Sequence, residues 1–369
     1  MLRSLRTAPH LGLTTPATPA LRRIQLSALL SIVTACAAPL DGASQPASGS
    51  TGPESSTQAS SFLSVFFDRA KGRAFIDLPP ADERGVHATF LMLAGIETGL
   101  GANDVGLDRG QMGGARLVQF RSVGGRILLE EINTSFRAEA GSSLEQEAAR
   151  QSFATSVLFG AEPEEGSRAR VDVTGLIVRD AHGIAETLKR TGQGTYKLAS
   201  DRSGLDVARC GAFPENIEFT ALLTFTSSSP GRLARATAPD GAALSFIQRI
   251  GFVQLPDNGY ERRRFDPRMG AFSTSYLDYG VDLASPIEQR LAVRHRIRRD
   301  PSTGEALPIV YYVDRAAPEP IRSALVEGAS WWGEAFADAG YPNLFRVEVA
   351  PEGLDPLDVR HNVIQWVHR

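Results

Sequence analysis

The chain has 369 residues, 42% hydrophobic and 22% charged, with a formal net charge of −3. That length supports one large domain or two smaller ones with real cores, and the charge balance gives no electrostatic reason to expect nucleic acid as a partner. No run of 18 apolar residues is present to form a permanent transmembrane helix.

Residues 1–23 carry Arg3, Arg6, Arg22 and Arg23 and no acid. The apolar stretch Ile24–Val33 follows, long enough for the core of a signal peptide and too short to span a bilayer. It runs into Val33-Thr34-Ala35-Cys36, apolar, small, small, cysteine. This order resembles the lipobox of bacterial lipoproteins. The resemblance implies that residues 1–36 are a lipoprotein signal peptide, that Cys36 is the lipidation site and new N-terminus, and that the partner there is a membrane reached through an N-terminal lipid. The non-acidic Ala37 implies outer-membrane delivery, hence an exported, cell-envelope protein. A plain signal peptide with an incidental cysteine is the other reading, and the long basic segment leaves a start later than Met1 open. With Cys36 modified, Cys210 is left unpaired, and a disulfide framework is excluded. Residues 37–60, mostly Ser, Gly, Pro, Ala and Thr, are expected to be a flexible linker, because they bury too little apolar area to offset ordering entropy.

Residues 61–300 read as a β-rich domain. A helix or strand is expected around Thr89–Leu93, then a loop from Gly99 to Gly114. Arg116–Val123 and Arg126–Phe136 flank Gly124-Gly125, a hairpin signal because that turn needs positive φ at both positions. Further strands are expected at Arg170–Arg179, Ile217–Thr226 and Ala243–Leu255. A helix is expected over Ser142–Val157, capped by Ser142 with Glu145 in its first turn and with Leu144, Ala148, Phe153 and Val157 at near-helical spacing. The basic cluster Arg294–Arg299 reads as a solvated strand end or interdomain contact, since no aromatic platform interleaves it.

Beyond residue 305 the pattern changes. Ile309–Val313 is β-branched and aromatic, hence a strand. Pro318 and Pro320 open a helix from about Glu319 to Ala339. Its stripe Ile321, Leu325, Gly328 or Ala329, Trp332, Ala335 or Phe336, and Ala339 is expected to be buried, with one of Trp331 and Trp332 buried and the other at the boundary. Gly340 ends the helix. Phe345–Val349 and Val363–Val367 are two more strands.

Several phrases then carry a family resemblance. In the front domain they are Gly106-Leu107-Asp108-Arg109, Ser152–Val157, Asp172-Val173-Thr174, Phe213–Glu218, Leu255-Pro256-Asp257 and Arg262–Gly270. In the last 65 residues they are Pro308–Tyr312, Trp332–Phe336, Ala339-Gly340-Tyr341 and Asp358-Val359-Arg360. Together they resemble the front part of a family of large bacterial zinc-dependent, metzincin-like metalloproteases that carry an N-terminal domain of unknown function. The resemblance implies an α+β chain: a β-rich N-terminal domain at 61–300, then the opening strand-helix-strand-strand of a metzincin-like catalytic domain at 305–369. It also implies zinc as the family's cofactor and a peptide or protein as its substrate.

The chemistry itself is absent. Zinc peptidases of this kind need H-E-x-x-H, two histidines one helical turn apart with a glutamate between them. None of His10, His87, His182, His295, His361 and His368 sits in that pattern, so no catalytic residue and no metal ligand is assigned. Asn103, Asp104 and Asp108 lack an alternating calcium-ligand set and read as a turn. Cys210 has no motif partner and reads as a small buried or boundary residue. The expectation is a fragment of an exported metallopeptidase-like lipoprotein, stopping before the zinc site, inactive and holding no zinc. The alternative is a non-enzymatic envelope lipoprotein acting as a binding module, with residues 305–369 as a cap.

Overall fold

The computed structural model describes residues 55–59, 62–165, 169–257 and 259–368. The signal segment, Cys36 and most of the linker lie outside the described residues. All of the described residues belong to one compact unit.

The chain first builds a four-stranded antiparallel sheet. Strands β1 (Ser55–Ala59), β2 (Ser64–Asp68) and β3 (Arg73–Asp77) run in succession. Backbone pairing therefore begins inside the segment read as linker, because the edge of β2 offers its amides and carbonyls whatever side chains face it. The long β4 (Val86–Ile96) then enters a second, larger sheet, as a strand where the sequence left helix or strand open. The hairpin β5 (Arg116–Val123) and β6 (Arg126–Glu131) turns at Gly124 and Gly125, with φ of 55° and 81°, the left-handed pair its turn demands. The second arm stops at Glu131, and Phe136 belongs to the short β7 (Phe136–Arg137).

Helix α1 (Ser143–Ser152) starts with the expected capping box between Ser142 and Glu145. It is shorter than its periodicity suggested. Phe153 is already extended, stacking on Phe136 at 4.3 Å between ring centroids, and residues Ser156–Ala161 form β8. Leu144 and Val157 of the supposed stripe are exposed, so tertiary pairing of β8 with β6 overrides the helical spacing. The expected strand Arg170–Arg179 also shortens, to β9 (Arg170–Asp172), which pairs with β3. The Asp172 carboxylate accepts from the Thr174 amide at 2.8 Å and turns the chain into α2 (Thr174–Ile177), followed by α3 (Ile184–Arg190).

Three short strands, β10 (Lys197–Leu198), β11 (Gly204–Leu205) and β12 (Gly211–Ala212), line one edge of β13 (Asn216–Thr226). Helix α4 (Arg232–Thr237) connects to β14 (Ala243–Val253), and the larger sheet closes in the order β10-β13-β14-β4-β5-β6-β8, antiparallel throughout. Strands β15 (Ser273–Asp278) and β16 (Glu288–Ala292) complete a small sheet with β7.

The core lies between the first two sheets. Phe90, Phe120, Phe219 and Phe252 are all fully buried and touch one another, Phe90 to Phe252 at 4.6 Å and Phe219 to Phe252 at 5.2 Å. Phe67 of the smaller sheet meets Phe219 of the larger at 6.1 Å. Each such ring contributes about 2–3 kcal/mol of burial.

The last region is built differently. Strand β17 (Ile309–Val313) lies between β18 (Phe345–Val349) and β19 (Asn362–Ile364), parallel to both. Parallel neighbours need a crossover, and α5 (Ile321–Ser330) and α6 (Trp332–Asp338) supply it between β17 and β18. The single helix expected over Glu319–Ala339 is thus two helices meeting at Trp331. Gly340, at φ 87°, ends the second as expected. Strand β19 ends at Ile364, short of the expected Val367. The expected buried stripe is not buried: no residue of α5 or α6 is. Trp331 and Trp332 are 66% and 61% exposed, because no described element covers that face. Among the described residues no helix is long and apolar enough to cross a membrane.

Candidate functional site

Parallel strands end together, and in open sheets of this kind the crevice beyond their carboxyl ends is where ligands bind. Here β17 ends at Val313, β18 at Val349 and β19 at Ile364. A cleft of about 170 Å³ opens just beyond them, lined by Asp314, Arg315, Ala350, Pro351, Leu354 and Gln365, among others. Its remaining wall is Arg109, from the glycine-rich loop of the front domain.

Arg109 ties the two parts together. Its Nη1 donates to Asp314 Oδ2 at 3.0 Å and to the Trp366 carbonyl at 2.8 Å. Asp314 also accepts from the Ala316 amide at 2.9 Å and the Trp366 amide at 3.4 Å. Burial alone would push the Asp314 carboxyl up. The Ala316 amide, the Arg109 guanidinium and the Trp366 amide outweigh it and hold the group below the usual carboxylate range. With its oxygens engaged, Asp314 shapes the cleft instead of acting as a free base.

A second junction is buried. Asn216, at the start of β13, is fully buried and faces the chain at Leu357–Val359. Its Nδ2 donates to the Leu357 carbonyl at 2.8 Å, and its Oδ1 accepts from the Val359 amide at 3.1 Å. The same amide group donates to Glu218 Oε1 at 2.9 Å. Glu218 lies over Gly251, its partner across the strand pair. A Cβ there would come within 2.5 Å of Glu218 Oε1, so glycine makes the carboxyl's position possible. Burial pushes the Glu218 carboxyl up to about 7, against the smaller opposing pulls of Asn216 and Arg249. Nearby, Arg360 grips the nearly buried Asp358 in a two-toothed ion pair.

The sequence had marked Asn216, Glu218, Arg109, Asp358 and Arg360 only as parts of phrases. The signal for the first two was an amide and a carboxyl two residues apart, hence on one face, in a strand whose other face, Ile217, Phe219, Ala221, Leu223 and Phe225, is apolar.

Among the described residues the histidines do not converge. His361 sits edge-on to Tyr312 at 5.8 Å, and His368 edge-on to Trp366 at 5.7 Å. His295 packs against Tyr311, and burial lowers its pKa. Among the described residues no group of three His, Cys, Asp or Glu side chains is placed to hold a metal ion. The described residues therefore do not make up a zinc site, and no chemical step is assigned through one. His361 Nδ1 and Trp366 Nε1 are buried without hydrogen-bond partners among the described residues.

Cys210 is half-buried. Its sulfur accepts from the Thr220 amide at 3.3 Å, and burial raises the thiol to about 11, so it is not a ready nucleophile at neutral pH. The basic cluster is engaged locally: Arg294 bonds the Glu261 carbonyl, Arg296 pairs with Asp257, and Arg299 bonds the Gly304 carbonyl.

The model of one protein family, described as a domain of unknown function (DUF5117), matches residues 110–299. No curated protein and no solved structure matches the chain.

Proposed function

The chain belongs to the family of the domain of unknown function DUF5117, and from that premise we propose that it is the front part of an exported, zinc-dependent metallopeptidase-like lipoprotein. In this reading residues 1–36 export the chain, Cys36 carries the lipid anchor and residues 61–300 form the front domain. Residues 305–369 open a catalytic domain, whose zinc would polarise the scissile carbonyl of a peptide substrate and its attacking water. The observation that carries the reading is the state of the last region. Three parallel strands and two helices form a sheet layer with one helical face uncovered, Trp331 and Trp332 lying in the open. A βαβ unit is stable when both faces of its sheet are covered, and this one has the outline of a layer that further protein completes.

In this reading the chain, whose sequence contains no H-E-x-x-H, is not expected to hydrolyse peptides by itself. Purified, it should cleave no casein and hold no stoichiometric zinc by elemental analysis. Chelator-sensitive cleavage with bound zinc would overturn that. The genomic sequence that follows should encode H-E-x-x-H in some frame within a few hundred bases, and its absence there would sink the metallopeptidase reading.

A second reading draws on the two junctions. Arg109 with Asp314, and Asn216 with Leu357 and Val359, dock the last region onto the front domain as a cap. That favours a non-enzymatic envelope module. Limited proteolysis separates the two: a resistant 305–369 region supports the cap, whereas rapid cleavage within α5 and α6 supports the open layer.

A further inference from the structure

A second cavity, of about 270 Å³, lies in the front domain between β4, the start of β5 and the loop that joins α2 to α3. At roughly 30 Å³ per water, it holds more than a bare ion. Its walls divide by chemistry. Met92, Ala94, Ala115 and Ala181 are apolar, while Arg116, Arg179 and His182 are basic. Among the described residues no acidic side chain lines it.

Arg179 is the unusual member. It is half-buried, and its partners are carbonyls: Nε donates to Leu176 at 3.1 Å and Nη1 to Leu158 at 2.8 Å. Among the described residues no carboxylate pairs with it. Burial, and then the like charge of Arg116, both lower its pKa. Arg116 reaches one acid, Glu131, at 3.7 Å. His182 donates from Nδ1 to the Ala94 carbonyl when that nitrogen carries the proton, at 3.2 Å, and its Nε2 has no partner among the described residues. A guanidinium drawn partly out of water without a counter-charge is costly, and an anion in the cavity relieves that cost.

The site is also held rigid. Gln248 of β14, fully buried, accepts from the Ala181 amide at 2.9 Å and the His182 amide at 3.1 Å. Its Nε2 donates to the Arg179 carbonyl at 2.8 Å. One side chain thus fixes the backbone that presents Arg179 and His182.

We propose that this cavity binds a small organic carboxylate, its head gripped by Arg179 and Arg116 and its short apolar body lying on Met92, Ala94, Ala115 and Ala181. The planar guanidinium fork matches a carboxylate. Two cations, one shared with Glu131, balance a single negative charge better than a phosphate dianion. The apolar half of the lining has no use in binding a bare inorganic ion.

Isothermal titration of the full chain with sodium butyrate, butyramide, trialanine, trialanine amide and inorganic phosphate tests this. Butyrate or trialanine should bind saturably and their amides should not, and whichever acid binds tighter tells a free acid from a peptide C-terminus. Arg179→Met and Arg116→Gln should each weaken binding by roughly tenfold or more, the loss of a charge-assisted contact. Arg179 also bonds two carbonyls, so Arg116→Gln, on an exposed side chain, is the variant expected to keep the unliganded melting temperature. Equal binding of butyramide, tighter binding of phosphate than of either acid, no binding at all, or butyrate affinity unchanged in Arg116→Gln would overturn the proposal.

Discussion

The front domain and the last 65 residues are both mixtures of strands and helices, yet they are stabilised in different ways. The front domain has a sealed aromatic core in which Phe90, Phe120, Phe219 and Phe252 lose all contact with water. Among the described residues of the last region only Val313, Ala317 and Leu344 are buried apolar side chains, and neither of its helices buries a residue. What it lacks in core it takes from its neighbour, through Arg109 and Asn216. The lesson is that regular secondary structure and self-sufficiency are separate properties: strand and helix signals were equally clean in both regions, and the packing is not.

The comparison breaks most sharply with paired core truncations. Phe252→Ala should cost about 3–5 kcal/mol, a cavity at the centre of the ring cluster. Phe336→Ala, whose ring stacks on Phe345 at 5.6 Å but stays half-exposed, should cost under about 1.5 kcal/mol. Denaturant unfolding followed by fluorescence measures both. Equal costs would remove the distinction.

Next in size is the pH response of Glu218. Its carboxyl is raised from an ordinary 4.5 to about 7 in the fold. The folded state therefore prefers the proton, and stability is fully present below pH 4.5 and lost as pH rises towards 7. The drop is ~3 kcal/mol. Glu218→Gln mimics the protonated group and should flatten that window while raising stability at neutral pH. A wild-type curve that rises with pH across it would contradict the assignment, provided the variant's curve does not rise in parallel.

Asn216→Ala removes the amide that bridges the two regions and leaves the Leu357 carbonyl and Val359 amide unpaired, an expected loss of about 1–3 kcal/mol. Its signature is local: residues 355–364 should exchange amide hydrogens faster while β4 and β14 do not change. The smallest effect belongs to Arg109→Ala. Its ion pair with Asp314 is partly exposed, so the loss should stay near or below about 1 kcal/mol. Proteolysis near Trp366 should nevertheless quicken, since that carbonyl loses its donor.

Much of the front domain was legible in the sequence. The Gly124-Gly125 hairpin, the Ser142–Glu145 cap and the strands expected at 217–226 and 243–255, the second of which ends at Val253, follow from turn chemistry and local pattern, which act within a few residues. What misled was periodicity without tertiary context. Leu144, Ala148, Phe153 and Val157 are spaced like a helix, but Phe153 finds Phe136 and the chain turns to extend the sheet instead. Arg170–Arg179 alternates like a strand, and the Asp172 side chain ends it after three residues. The stripe on α5 and α6 is a true apolar face, and spacing alone could not say whether anything covers it. The cleft and the basic cavity were illegible for a related reason. Arg109 meets Asp314 across 205 positions, and Arg116 meets Arg179 across 63, so only the fold brings them together.

Native-state hydrogen exchange of the whole chain tests the central contrast most directly. The amides of Phe219–Phe225 and Phe246–Phe252 should exchange only through global unfolding, while those of Ile321–Asp338 exchange through far cheaper local openings. Protection of α5 and α6 equal to that of β13 and β14 would mean that the last region is as well packed as the front domain, and would contradict the account.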